Sequence, residues 1–290
     1  MTETQWQFFT DFKNSFKEQC CQWNGAFAAE LEPLQKAAAR KDTPEYAVET
    51  GVVYNHALDE VTKDTDIKLI VIGDNPGKDE QLLCNQRYLV GQAGKIAAGF
   101  FSRNPELAID FRKNTIILNK TPVHTAKTAH LRYLLKNGCS EITHLIQESQ
   151  LWMAQKTAQL HQVLCSVPGS GGKNASGKNA CSDEIKDGAG CQLWLVGYAE
   201  LKGRGLFLDY RNQLAQSYGI ELTGEGQVDS APQGFLPQWN QVMVFQHFSM
   251  NRFTIDLAEK LHEGKINSQL PLQEQLAVLG AFHRQEIFGC

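Results

Sequence analysis

The sequence predicts an α/β protein, a three-layer αβα sandwich around a four-stranded, mainly parallel sheet. Four short apolar runs have the length of buried strands, and helix-length segments separate them. Of the 290 residues, 42% are hydrophobic and 21% charged, which is typical of a globular protein with a sizeable core. The four runs are residues 69–72, 115–118, 193–196 and 242–245. We expect a single domain over residues 1–290.

The N-terminal segment, residues 1–66, is predicted to be helical. Trp6, Phe9, Phe12 and Phe16 recur at steps of three and four residues, so their rings fall on one stripe of a helix. This pattern favours extra N-terminal helices that pack against the sheet domain through an aromatic face.

The strand and helix predictions alternate from residue 68 onward. The first apolar run ends at Gly73 and has no polar residue, as in a parallel strand that is covered on both faces. Helices are expected at residues 93–101, 141–164 and 206–218, between the runs. Strands that alternate with helices are connected by crossovers, and this favours a parallel sheet.

Residues 168–190 differ from the rest of the chain. They contain six glycines, a repeated Gly-Lys-Asn-Ala and one large aliphatic residue, Ile185. Such a segment cannot bury enough apolar surface to order itself, so we interpret it as a flexible surface insert.

Charge and cysteine content limit the function classes. The formal net charge is -4, so contact with nucleic acid has to come from a local patch and not from a global basic field. No apolar run approaches the length of a membrane span, and the first ten residues lack a basic region. The eight cysteines include no Cys-x-x-Cys pair, which argues against a zinc site or a disulfide framework. We expect a cytoplasmic monomer that binds neither a membrane nor a metal.

Polar residues follow three of the four predicted strands. In an open parallel sheet, ligands bind beyond the carboxyl ends of the strands, so these residues are predicted to meet at one crevice. Each also has an ordinary structural interpretation, as a turn, a cap or a hydrogen-bonded core imidazole. The three segments begin at Asp74, Asn119 and His247.

The segment from Gly73 to Lys78 is close to a phosphate-binding loop. A Walker loop has four residues between its glycines and Ser or Thr after the lysine. Here three residues intervene, and Asp79 follows the lysine. A nucleotide- or phosphate-dependent enzyme therefore remains a weaker alternative.

Three segments of the chain carry the motifs that matter here. The first is Gly73-Asp74-Asn75-Pro76-Gly77, followed by Arg87-Tyr88-Leu89-Val90-Gly91-Gln92-Ala93-Gly94; the second is the strand that ends in Asn119, and the third is His247-Phe248-Ser249. Together they resemble the uracil-DNA glycosylase superfamily. Gly-x-Asn-Pro-Gly resembles its mismatch-specific and single-strand-selective branches, and Val-Gly-x-Ala-Gly is similar to its iron-sulfur branch. The strand that ends in Asn119 is similar to the second segment of the superfamily, and the third segment resembles its terminal His-Pro-Ser.

The resemblance implies catalytic roles for three residues. His247, as a neutral donor, would hydrogen-bond the departing base, because negative charge develops on its carbonyl oxygen. Asn75 matches the residue that positions the attacking water, and Asp74 is the nearest carboxylate. Which of the two holds the water stays open at this point.

The resemblance also implies base-binding residues. Asn119 has both a donor and an acceptor, which suits the carbonyl and ring N–H of uracil. Tyr88 or Leu89 would cover the flipped base where the family has a phenylalanine, and Gly73, Pro76 and Gly77 would form the turn around it.

The segment after His247 would contact DNA. Met250 or Arg252 is expected to fill the gap that a flipped base leaves, and Ser249 and Asn251 to bond phosphates. Phe248 replaces the family's proline.

The cysteines that hold the cluster in the iron-sulfur branch are missing here, so no cofactor is expected. The expected function is hydrolysis of the N-glycosidic bond of a deaminated base in DNA repair, with uracil as the expected base. The alternative is a protein of the same fold that binds nucleic acid or a nucleobase without cleaving it.

Overall fold

The computed structural model describes residues 1–166, 190–222 and 235–290. The predicted insert, residues 168–190, lies outside the described residues except for Gly190. The strands are β1 (Leu69–Gly73), β2 (Thr115–Asn119), β3 (Gln192–Val196) and β4 (Val242–Phe245). The helices are α1 (Glu3–Ala39), α2 (Gln92–Arg103), α3 (Leu131–Asn137), α4 (Ser140–Leu164), α5 (Leu208–Ser217), α6 (Arg252–His262) and α7 (Leu272–Phe288).

The four strands form one parallel sheet in the order β2-β1-β3-β4. In register, Gly73 lies beside Asn119, and Val196 lies beside Phe245. The carboxyl ends of all four strands therefore meet at one edge, as the sequence predicted. The α/β class, the four strands and their parallel direction are confirmed.

Helices cover both faces of the sheet. Every residue of β1, β2 and β4 is buried, which a sheet achieves only when both faces are packed. Along the edge strand β4 lies α7, and α4 packs against α5 and α1.

The aromatic stripe of α1 faces the core. Phe9, Phe12 and Phe16 are buried, as predicted, and Thr2 and Gln5 form a capping box that starts the helix. The helix ends at Ala39, however, and residues 40–68 hold only a short 3-10 turn, so the prediction of helix up to residue 66 is wrong. Pro44, which has no N–H and disfavours helix at the residue before it, lies near this end.

Three helices were not predicted: α3, α6 and α7. Both α6 and α7 lie in a C-terminal region for which the sequence analysis had no element. No helix in the described ranges has the length and apolar character that crossing a bilayer requires.

Candidate functional site

A cleft of about 530 Å³ lies at the carboxyl edge of the sheet. It contains residues from all three polar segments that the sequence placed at one crevice, and the predicted convergence is therefore seen. Its lining is Asp74, Asn75, Gly77, Lys78, Asp79, Glu80, Leu89, Gly91, Gln92, Ala93, Asn119, Thr125, Ala126, Lys127, Thr128, His247, Ser249 and Met250.

Asn119 ends β2 and is only 2% exposed. Its Nδ2 is buried and finds no hydrogen-bond partner in the described parts of the chain. Gly73 lies beside it in the sheet, and a Cβ at Gly73 would come within 2.5 Å of the Asn119 Oδ1. A glycine at this position therefore makes room for the Asn119 amide. Buried polar atoms are almost always paired, and Asn119 is the residue of the cleft lining whose side chain keeps an unpaired buried donor in the described ranges.

Asn75 presents an acceptor to the cleft. Its Nδ2 donates to the Thr125 Oγ1 at 2.8 Å and to the Val123 carbonyl at 3.3 Å. The Thr125 hydroxyl donates its hydrogen bond to the Lys127 carbonyl, so toward Asn75 it can only be an acceptor. These bonds fix the orientation of the amide and leave Oδ1 to accept a hydrogen bond from water or substrate.

Asp74 has both carboxylate oxygens engaged within the protein. Oδ1 lies 2.6 Å from the Nζ of Lys120, and Oδ2 accepts from the Thr128 hydroxyl at 3.2 Å. None of the hydrogen bonds within the described ranges uses the Asn75 Oδ1, whereas each Asp74 oxygen already accepts one, so Asn75 is the better placed of the two to hold a water.

Lys120 was not singled out from the sequence. It is completely buried, and its Nζ also donates to the Val196 carbonyl at 2.6 Å and lies 5.0 Å from the centre of the Phe207 ring. Burial lowers the pKa of Lys120, and the Asp74 carboxylate acts in the opposite direction. The sequence holds no signal for this burial, since a lysine is almost never fully buried without a partner and the partner, Asp74, is brought to it only by the fold.

Gly197 leaves the space in which the carboxylate sits. It has a left-handed φ of +87°, and a Cβ there would collide with the Asp74 Oδ1. The ends of β1, β2 and β3 thus close together around one buried ion pair.

His247 lies at the end of β4 with a defined tautomer. The backbone N–H of Ser249 donates to its Nδ1 at 3.1 Å, and the Ser249 hydroxyl lies 2.8 Å from the same nitrogen. A nitrogen that accepts from a backbone N–H carries no proton, so the neutral ring carries its proton on Nε2. Burial lowers the pKa of His247, Asp74 raises it and Lys120 lowers it. The imidazole is therefore held as a neutral donor.

The turn after His247 lies at the mouth of the cleft. Met250 is 73% exposed, and it and Asn251 both have left-handed φ values, 54° and 55°. Ser249 and Met250 line the cleft, whereas Asn251 and Arg252 are exposed outside the lining. Phe248 is fully buried and packs on Phe253 with 5.0 Å between ring centres. It therefore anchors this turn to the aromatic core.

Tyr88 cannot cover a ligand in the cleft, so that prediction is wrong. It is completely buried, and its hydroxyl donates to the Val53 carbonyl, away from the cleft lining. Leu89 does line the cleft, with a left-handed φ of 54° and its carbonyl bonded to Arg112. The contact available at this position is aliphatic.

Gly73 and Pro76 do not line the cleft. They lie behind it and contact residues of its wall. Pro76 is buried, and its carbonyl accepts from Nδ1 of His124 at 2.9 Å and from the Thr125 N–H at 3.2 Å. Of the three turn residues that were assigned to base binding, only Gly77 borders the cleft directly.

Glu80 is a second titratable residue that the sequence analysis missed. It is buried in the cleft wall, where its Oε2 accepts from the Gly77 N–H at 3.2 Å. Burial raises its pKa to about 7, against the lowering effect of the Gly77 and Leu89 N–H groups and Arg112. The carboxyl therefore changes charge near neutral pH.

The structure does not favour the phosphate-loop alternative. The glycine turn after β1 continues through turns up to Gly91, and α2 begins only at Gln92. A phosphate loop leads directly into the N-terminus of a helix, which supplies the N–H groups for the phosphate. Within residues 1–166, 190–222 and 235–290, no group of three His, Cys, Asp or Glu residues is placed to hold a metal ion.

Comparisons with protein-family models, with curated proteins and with solved structures gave no match to this chain.

Proposed function

We propose that this chain is a DNA glycosylase that hydrolyses the N-glycosidic bond of uracil, with the chemistry of the uracil-DNA glycosylase superfamily that its motifs resemble. The observation that carries the proposal is the buried, unpartnered Nδ2 of Asn119 in the cleft that also holds Asn75 and His247. We place its action on DNA, as a monomer in the cytoplasm.

Recognition of the base would come from Asn119. Uracil offers a carbonyl oxygen next to a ring N–H, and one side-chain amide can donate to the first and accept from the second. The base edge becomes accessible only when the nucleotide is flipped out of the stack. The open Nδ2 donor is the atom that a uracil carbonyl would satisfy, and Leu89 supplies the apolar contact to the ring.

His247 would stabilise the departing base. Cleavage generates an oxocarbenium-like sugar and a uracil anion, and a donor aimed at the developing charge lowers the barrier. The tautomer that Ser249 fixes leaves Nε2–H for this task. A neutral imidazole still carries this one N–H, so it can donate to the developing charge while its Nδ1 accepts from the Ser249 N–H.

Asn75 would position the water. Its Oδ1 can accept from a water at the anomeric carbon but is too weak a base to take the proton before bond cleavage. The mechanism we propose is therefore dissociative: the N-glycosidic bond breaks first and leaves a uracil anion, water then adds to the oxocarbenium carbon, and the proton that this water loses passes to the uracil anion. Met250, at the cleft mouth, would occupy the space that the flipped nucleotide leaves.

The test is cleavage of single- and double-stranded oligonucleotides that contain one uracil, followed by alkali treatment. We expect wild-type protein to produce strand breaks at the uracil. His247→Ala and Asn75→Ala should each slow the reaction by about 100-fold or more, because each removes a group that acts in the transition state.

Matched controls are available on the surface. His144 is an exposed histidine of α4, and Asn267 lies in the exposed turn before α7. His144→Ala and Asn267→Ala should leave the rate unchanged. If the active-site variants cleave as fast as these controls, the assigned roles are wrong.

The competing function is recognition without cleavage, and the observation in its favour is Leu89 in place of a stacking ring. Tight binding of uracil-containing strands by wild-type protein, with no abasic site formed, would support it and refute the glycosylase.

A further inference from the structure

The Lys120–Asp74 ion pair lies directly behind the base-binding cleft, although Lys120 has no place in the proposed chemistry. The pair is held by groups from three strand ends: Asp74 follows β1, Lys120 follows β2, and the Val196 carbonyl of β3 accepts from the Lys120 Nζ. A pair that is so enclosed keeps both charges at fixed positions.

The pair and His247 belong to one corner of the sheet edge, because Asp74 and His247 line the same cleft. The Val196 carbonyl, which accepts from Lys120, lies on the strand beside β4, and its register partner Phe245 precedes His247 by two residues. A carboxylate alone at this position would favour the imidazolium ion, because an opposite charge nearby stabilises the protonated ring. Protonation of Nδ1 would also break the hydrogen bond from the Ser249 N–H, because the protonated Nδ1 and the Ser249 nitrogen would both be donors.

We propose that Lys120 is a positioning residue which, by cancelling the charge of Asp74, keeps His247 uncharged and its Nε2–H directed at the ligand. This inference rests on the proposed function, in which His247 acts as a neutral donor. Asp74 is then a structural counter-ion: its oxygens orient the Thr128 hydroxyl at the cleft and the Lys120 ammonium below it.

Other charges face the same region and have to be considered. Those in the cleft lining are Lys78, Asp79, Glu80 and Lys127, and the segment of His247 itself contributes Arg252 outside the lining. Glu200 acts on Lys120, in the same direction as Asp74 but with a smaller effect. Burial has the largest effect on the pKa of His247 and lowers it; Asp74 and Lys120 are the two charged residues that change it further, in opposite directions.

The experiment is an NMR titration of the His247 ring in full-length protein, for wild type, Lys120→Gln and the double variant Asp74→Asn/Lys120→Met. Glutamine keeps N–H donors for Asp74 and the Val196 carbonyl but removes the charge. We expect the pKa of His247 to rise by about one unit or more in Lys120→Gln, because Asp74 is then uncompensated. The double variant should titrate close to wild type, because both charges are gone.

Lys113→Gln is the control, since Lys113 has a side chain that is 83% exposed and lies outside the cleft lining. It should leave the titration of His247 unchanged. A pKa of His247 that stays at the wild-type value in Lys120→Gln would overturn the proposal. If Lys120→Gln does not fold, the double variant provides the test, because it buries no unpaired charge. A pKa of His247 in the double variant that lies far from the wild-type value would then show that Lys120 and Asp74 do not cancel each other's effect.

A cleavage assay separates this inference from the proposed function. If the enzyme is active, its cleavage rate should fall at low pH as His247 becomes protonated. In Lys120→Gln this fall should occur at a higher pH, by the same number of pH units as the rise in the pKa of His247 measured by NMR. If wild-type protein does not cleave uracil strands, the proposed function fails, and the ring titration still tests the effect of Lys120 on His247.

Discussion

Two adjacent residues, Asn119 and Lys120, show how much depends on single side chains at a strand end. Asn119 lines the cleft, while Lys120 lies buried below it on Asp74. Asn119 could be predicted from the sequence because an amide at the end of a strand is a familiar ligand-binding position. Lys120 could not, because a lysine after a strand is usually solvated, and only the tertiary structure brings Asp74 and the Val196 carbonyl to it.

Gly73 provides a test at the scale of one residue. In Gly73→Ala the new Cβ would lie 2.5 Å from the Asn119 Oδ1, so the amide has to move. We expect a loss of about 1–3 kcal/mol in the free energy of unfolding, as for overpacked cores, and a weaker affinity for uracil strands. Denaturant unfolding and strand-binding titrations measure the two effects.

Gly25→Ala is the matched control, because a Cβ at Gly25 in α1 meets no atom within 4 Å. Alanine in a helix interior should stabilise by about 0.5–1 kcal/mol. Equal effects of the two substitutions would show that the packing of Gly73 against Asn119 does not matter.

At the scale of elements, buried histidines connect segments that are distant in sequence. His124 joins the turn after β1 to residue Tyr46, through Pro76 O at 2.9 Å and the Tyr46 hydroxyl at 2.9 Å. His161 of α4 bonds the Tyr218 hydroxyl at 2.6 Å and the Cys191 carbonyl at 2.9 Å. In each ring one nitrogen faces a carbonyl oxygen, which only accepts, so this nitrogen carries a proton and donates. The other nitrogen faces a tyrosine hydroxyl and can accept from it without carrying a proton. Both rings are therefore neutral in the fold.

These contacts predict acid sensitivity. Burial lowers the pKa of both His124 and His161 to about 4, from an ordinary value near 6.5, so the unfolded chain binds more protons between pH 6.5 and pH 4. The free energy of unfolding should fall as pH drops through this range, by up to about 3 kcal/mol for each ring. Denaturant unfolding at several pH values measures it.

Glu80 acts with the opposite sign. Its pKa is raised to about 7 in the fold, so its burial destabilises increasingly as pH rises from 4.5 to 7. The effect of the two histidines is larger than that of one carboxyl group, so the free energy of unfolding should still fall on acidification below pH 6.5. In Glu80→Gln the loss should be steeper, and a stability that does not vary with pH would contradict the account.

The elements also show where sequence reasoning succeeds. The four strands were predictable because their apolar runs are short and uninterrupted, and all four were placed within one residue of the observed bounds. Residues 40–66 were wrongly predicted as helix by extending the pattern of α1 beyond its aromatic stripe. The C-terminal helices were missed; α7 is apolar along much of its length because it packs on β4, which blurs the helical period.

At the scale of the whole molecule, the parallel order of the strands accounts for most of the candidate site. Asn75, Asn119 and His247 are far apart in sequence, and the carboxyl edge of one sheet brings them together. Their convergence was predictable from strand positions alone. The ion pair, the tautomer of His247 and the inward turn of Tyr88 were not, since each depends on contacts between side chains from different strands and loops.

The most direct test of the central claim is the amount of free uracil released from a DNA strand that contains one uracil, measured by mass spectrometry. The account predicts one free uracil for each abasic site formed, and no thymine from the matched thymine strand. Binding of the uracil strand without release of the base, by protein whose fold is intact, would contradict it.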